Sequence, residues 1–141
     1  MADNLTPEQR RRAMSRVKNK DTDLECKVRS ALHKRGYRFR KHVKTLPGSP
    51  DVVFPKQKVA VFIDGDFWHG YKFYTWEDKV GEFWKNKIRK NRERDRKNFR
   101  ALRHRGWNVI RLWQHDIERD NEKCVVKIIA VVEQARRRKT L

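Results

Sequence analysis

Two cysteines, Cys26 and Cys124, are all that the 141-residue chain carries. So far apart, they form neither a disulfide framework nor a zinc ribbon, and they read as small buried hydrophobes. No apolar run approaches the roughly 20 residues that cross a bilayer, so no membrane is expected. Residues 1–14 lack the apolar centre of a signal peptide, and the protein is expected to stay in the cytoplasm. Acid is scarce: 18 Asp and Glu stand against 37 Lys and Arg, a formal net charge of +19. Hydrophobic residues make up 37% and charged residues 39%, which is lean in core material. The apolar residues are bunched, however, so the chain reads as one folded domain over 1–141 with a dense charged surface. Positive charge of this size repels itself in the folded state, and a polyanionic partner is the usual compensation. Nucleic acid fits that role better than a membrane surface.

Thr6-Pro7-Glu8-Gln9 is a capping box with proline at the first helical position, predicting a short helix to about Ser15 within a basic arm over 1–20. Thr22-Asp23-Leu24-Glu25 is a second box, and Leu24, Val28, Ala31 and Leu32 follow at helical spacing up to Gly36. Tyr37 to Arg40 alternate as a strand. Asp51–Phe54 and Val59–Ile63 read as paired strands around residues 55–58, the second apolar on both faces and therefore central. A long basic helix is expected from about Val80 to Arg105, then a buried strand from Val109 to Trp113. A final helix carries Val125, Ile128, Ile129 and Val132 and frays into a basic tail over 136–141. The fold class is α/β: a central mixed β-sheet flanked by helices, in the order α-α-β-β-β-α-β-α.

Acids stand where acids are unexpected. Asp51 opens one strand, Asp64 closes its partner, Asp66 lies just beyond, and Glu25 sits in the first turn of the second helix. A four-residue loop at 55–58 sets Asp51 opposite Phe62. Asp64 is then its diagonal neighbour on the same sheet face, about 7–8 Å away at the Cα level. One cation can span that gap, and oxygen ligands of this kind suit magnesium. Alternatively, both aspartates cap turns and pair with nearby Lys or Arg. His69, five residues past Asp64, is the only histidine close in sequence to this cluster. An imidazole beside a metal-bound phosphate can take a proton from attacking water. A loop histidine is otherwise a surface group.

From Lys85 to Arg105 there are eleven Lys and Arg but only Glu93 and Asp95 as acids, an imbalance that suggests a phosphate-tracking face. Asp95 falls on the apolar stripe of Ile88, Phe99 and Leu102, where a buried arginine pair is expected. Phe67-Trp68 in a Gly-flanked loop, and Phe83-Trp84 at the helix start, are candidates for stacking on bases. Core packing accounts for Phe99, Trp107 and Trp113.

Together the residues resemble the very short patch repair (Vsr) mismatch endonucleases, a branch of the PD-(D/E)XK, restriction-endonuclease-like fold. The resemblance rests on Met14-Ser15-Arg16, Lys20-Asp21-Thr22 with Glu25, Leu46 to Phe54, Val61-Phe62, Gly65, Phe67-Trp68-His69, Glu82-Phe83-Trp84, Lys87-Ile88, Asn91, Glu93-Arg94-Asp95 and Gly106-Trp107. It covers roughly residues 10–115 in unbroken order. It implies a Mg2+-dependent enzyme, with Mn2+ able to substitute, that nicks one strand of double-stranded DNA at a T:G-type mismatch. Asp51 and the backbone carbonyl of Ile63 would hold the metal, His69 would act as general base, and Glu25 would support the metal-bound water. Phe67, Trp68 and Trp84, with Met14, would wedge into the base stack, and Arg16, Lys87 and Asn91 would join the DNA contacts. A monomer associated with the nucleoid is expected, and recruitment by other repair proteins is compatible with it.

Two departures stand out. Where the family carries Thr-His before the glycine, this chain has Ile63-Asp64, so Asp64 is expected to ligate the metal directly. The ligands of the family's structural zinc are replaced by Asp66, Tyr71, Phe73 and His115, a poor zinc set. No structural zinc is expected, and Tyr71 and Phe73 are expected to fill its place as an aromatic cluster. Vsr-like domains also serve homing- and restriction-associated nucleases with other targets. A non-catalytic DNA-binding module is the third reading.

Overall fold

The Thr22 hydroxyl accepts from the Glu25 N–H while the Glu25 carboxylate accepts from the Thr22 N–H, each at 3.3 Å. This reciprocal cap opens helix α1 (Asp23–Lys34) and turns the Glu25 side chain inward from its first turn. The structure, a computed structural model, describes residues 22–139. The first predicted helix, Met14 and Arg16 therefore lie outside the described residues. Gly36, at φ +82°, ends α1. The Tyr37 N–H donates to the Leu32 carbonyl and the Gly36 N–H to that of His33, a Schellman pair that needs the left-handed residue.

Four strands follow in sheet order β1 (Arg40–Lys41), β2 (Val52–Phe54), β3 (Val59–Asp64) and β4 (Asn108–Trp113). The first two pairs are antiparallel and the β3–β4 pair is parallel. The strand expected at Tyr37–Arg40 lies further on, because Tyr37 and Phe39 turn inward to pack edge-on against Phe54, with centroids 6.5 and 6.1 Å away. The β2–β3 register pairs Val52 with Val61 and Phe54 with Val59, the pairing a loop at 55–58 dictates. A parallel β3–β4 pair needs a crossover, and helix α2 (Glu82–His104) provides most of it.

Strand β3 is buried from end to end and shows its two faces to different layers. Val59, Val61 and Ile63 meet α1 and the final helix through Val28, Leu32, Val125, Ile128 and Val132. Ala60 and Phe62 meet Phe99 and Leu102 of α2 on the other side. Two helices stand where one was expected after β4: α3 (Gln114–Arg119) and α4 (Asn121–Lys139). The fraying expected from Arg136 does not occur before Lys139. Arg136 instead pairs with Glu133 at 2.8 Å and lies 5.4 Å over the Tyr37 ring. Among the described residues, no helix is long and apolar enough to cross a membrane.

Candidate active site

Asp51 stands one residue before β2, directly after Pro50, where the chain is still entering the sheet. Its N–H donates to the Val61 carbonyl at 2.9 Å, and its carboxylate accepts from the Ile63 N–H at 2.7 Å. The side chain thus takes the place of the next backbone rung, which holds the carboxylate at the sheet's rim rather than on one face. There it meets Glu25 of α1 and His42 of the β1–β2 connection. Donor atoms of these three residues all lie within 4.8 Å of one another. His42 Nε2 is 3.1 Å from Glu25 Oε2, which Arg29 Nη1 also approaches at 3.4 Å. Burial pushes the Asp51 carboxyl up to about 8, with the Glu25 and Asp64 charges adding to the rise and the Ile63 N–H opposing it. Carboxylates crowded in this way have lost solvation that a cation restores. The donor set therefore fits a divalent ion.

Asp64 points elsewhere. Its Oδ1 is 3.3 Å from His69 Nε2 and its Oδ2 accepts from Arg111 Nε at 2.8 Å. Asp95 of α2 completes the group, with Oδ2 2.7 Å from His69 Nδ1 and 2.8 Å from Arg111 Nη2. Asp64 and Asp95 are both buried. Burial raises the Asp64 carboxyl above its ordinary range, against the lowering pull of His69 and Arg111. The single convergence of Asp51 and Asp64 on one cation beside His69 is thus replaced by two adjoining clusters. Asp51 groups with Glu25 and His42, while Asp64 groups with His69 and Asp95. The physical reason is the rim position of Asp51: pleat alternation fixes Asp64 on the α2 face, but the Asp51 side chain is engaged as a ladder rung. Asp64, expected to ligate metal directly, has its two oxygens engaged by His69 and Arg111.

The loop that carries His69 is held from below. Its turns close through His69 N–H to the Gly65 carbonyl (3.2 Å) and Tyr71 N–H to that of Asp66 (2.9 Å). The Asn91 amide donates to the Trp68 carbonyl at 3.0 Å. Gly70, at φ +68°, crosses α2 so closely that a Cβ would lie 2.9 Å from Ile88 Cγ2. Of the expected DNA contacts, Asn91 is buried and engaged in that loop, and Trp84 is only 5% exposed. Trp84 packs edge-on under Phe67 and Trp68, with centroids 5.8 and 5.7 Å away. Phe67 and Trp68 are themselves half-buried, and Lys87 is exposed with its ammonium 5.4 Å from the Trp68 ring. The aromatic most open to solvent at the start of α2 is Phe83, at 60%.

At the position of the replaced zinc ligands, Asp66 Oδ1 lies 2.9 Å from His115 Nδ1, and Tyr71 packs on His115 and Trp113 at 4.2 and 5.0 Å. Phe73 does not join them. It packs with Trp76 and Ile88 in a separate cluster, drawn there by the turn that follows Gly70.

Three site residues escape a reading of the sequence. Asp95, expected as a structural partner of an arginine, does pair with Arg111, but His69 shares its carboxylate. Arg111 itself has one signal, a lone charge inside an apolar strand. His42 has none, because only folding brings it to Glu25.

A mixed sheet with carboxylates and a histidine gathered at the end of its central strand, beside a basic crossover helix, defines a nuclease of the restriction-endonuclease-like class. Comparison with known proteins narrows this. The family model "DNA mismatch endonuclease Vsr" matches residues 2–75. The type II nicking enzyme V.XorIIP of Xanthomonas oryzae pv. oryzae is 44% identical over 119 residues, covering 83% of this chain and 88% of the relative. V.HpaIIP of Haemophilus parainfluenzae, also a type II nicking enzyme, is 38% identical over 130 residues (89% and 92%). The DNA mismatch endonuclease Vsr of Escherichia coli is 35% identical over 116 residues (81% and 74%). The chain belongs to the Vsr family of DNA endonucleases.

Proposed function

We propose that this protein is a Mg2+-dependent endonuclease that nicks one strand of duplex DNA at a T:G-type mismatch. The observation that carries the reading is the adjacency of the two clusters, one made of carboxylates for a metal and one centred on a histidine for a proton. Asp51, with the carbonyl of Ile63, would hold the ion, and Glu25 beside it would add a further carboxylate oxygen and orient water bound to the ion. The ion, when present, supplies positive charge at the scissile phosphate and acidifies water.

The remaining chemistry belongs to the chain. With Nδ1 directed to Asp95, His69 presents Nε2 as the nitrogen that takes the proton of the attacking water. Asp64 Oδ1, 3.3 Å from that nitrogen, then stabilises the imidazolium by its negative charge. Arg111 keeps both flanking carboxylates in place and offsets their charge. Asp64 thus serves the proton-accepting group rather than the metal. Trp68, backed by Trp84 and flanked by Lys87, offers a stacking edge to an unpaired base.

Nicking of supercoiled plasmid should require a divalent ion and disappear in an Asp51→Asn variant. Paired T:G and T:A duplexes test the target, with faster nicking of T:G expected. Equal rates would leave an endonuclease directed by sequence or by another DNA structure.

A further inference from the structure

We propose that His42 is an inner-sphere ligand of the metal ion at Asp51, so that the centre binds first-row ions such as Co2+ and Mn2+ in preference to Mg2+. This rests on the reading of Asp51 as a metal ligand and adds a donor that changes the character of the site.

The geometry carries it. Two ligand atoms each about 2.1 Å from a shared ion, at right angles to one another, lie about 3.0 Å apart. His42 Nε2 and Glu25 Oε2 are 3.1 Å apart, and an Asp51 oxygen lies within 4.8 Å of both. The ring is held there by the backbone. His42 has left-handed φ (+50°), and its N–H donates to the Asp51 carbonyl at 3.3 Å, so the same short segment carries both donors. Its side chain is 16% exposed and Glu25 4%, which leaves little water to compete for the ion. Two carboxylates and an imidazole are a different donor set from carboxylates, carbonyls and water alone. Imidazole nitrogen binds borderline transition ions better than it binds magnesium.

The test is direct metal binding to the full chain. Calorimetric titration of the wild type is expected to give Co2+ an affinity at least about tenfold above that of Mg2+. His42→Ala should lower Co2+ affinity by about tenfold or more while changing Mg2+ affinity by less than about threefold. Asp51→Asn should weaken both ions. If Asp51→Asn binds both ions as the wild type does, the metal reading itself fails. If Asp51→Asn loses both while His42→Ala keeps wild-type Co2+ affinity, only His42 ligation fails. Because alanine also removes the imidazole contact of Glu25, a second readout uses the Mn2+-loaded protein. Pulsed electron paramagnetic resonance should detect a coupled nitrogen that His69→Ala retains and His42→Gln loses. The reverse pattern would place the ion in the Asp64–His69–Asp95 cluster and overturn the proposal.

Discussion

Asp51 carries two loads at the residue scale, and they pull in opposite directions. As a ladder rung it is fixed at the rim of the sheet, and as a crowded carboxylate it costs stability. Its folded pKa of about 8 stands above the unfolded value of about 3.9. Between those values the folded chain keeps a proton that the unfolded chain releases. The stability from this group is therefore complete below about pH 4 and is lost progressively as pH rises to about 8. Burial shifts Asp64 in the same direction. The metal-free protein should melt at lower temperature at pH 8.5 than at pH 5.5, and Asp51→Asn should flatten that profile. The variant should be more stable at pH 8.5 by about 1–2 kcal/mol yet nick at least about a hundredfold more slowly. Thermal melts without metal check the first half, and an unchanged pH profile would refute it. Asp95 calls for kinetics instead. His69→Ala should lower the single-turnover nicking rate by about 10²–10⁴-fold. Asp95→Asn should lower it by a smaller factor, about tenfold, with DNA affinity unchanged. A wild-type rate in Asp95→Asn would remove Asp95 from the site.

Elements are more legible in the sequence than the contacts between them. The Thr22 capping box, Gly36, the loop at 55–58 and the all-apolar run at Val59–Ile63 each carry a local physical signal, and each lies where that signal puts it. Side-chain direction at element ends carries no such signal. Asp51 leaves the pleat because its carboxylate replaces a backbone rung, and Trp84, at a helix start that suggests a base contact, packs under Phe67 and Trp68 instead. The loop between β3 and α2 carries His69. Gly70→Ala would force a side chain into φ +68° with Ile88 only 2.9 Å away, costing about 2–3 kcal/mol and displacing the neighbouring His69. Gly36→Ala has the same backbone strain but open space around it, so it should cost about 1 kcal/mol and leave nicking intact. Melting curves and nicking rates of the two variants, measured side by side, separate strain alone from strain that reaches the site.

On the scale of the whole molecule, a net charge of +19 has to be accommodated, and its distribution says how. Near the site the cations are engaged: Arg111 with Asp64 and Asp95, Arg29 with Glu25, Arg89 with Glu77. Along the second half of α2, Arg96, Arg100 and Arg103 pair with no acid among the described residues. They follow one another at helical spacing of four and three residues, all exposed, beside Phe99 and His104 in one shallow groove. Four residues of helix advance about 6 Å, so three such guanidinium groups form a ladder along one side of the molecule rather than a point charge. Phosphates of the duplex beyond the nick are the natural counter-charge. Replacing all three arginines with glutamine should weaken binding to a long duplex equally at T:G and T:A, because phosphate contacts carry no base information. The slope of log affinity against log salt should become shallower by about 0.9 for each phosphate that is no longer neutralised. A duplex trimmed to the base pairs around the mismatch should not register the change. If the triple variant keeps the wild-type salt slope on the long duplex, the excess charge serves something other than the flanking DNA.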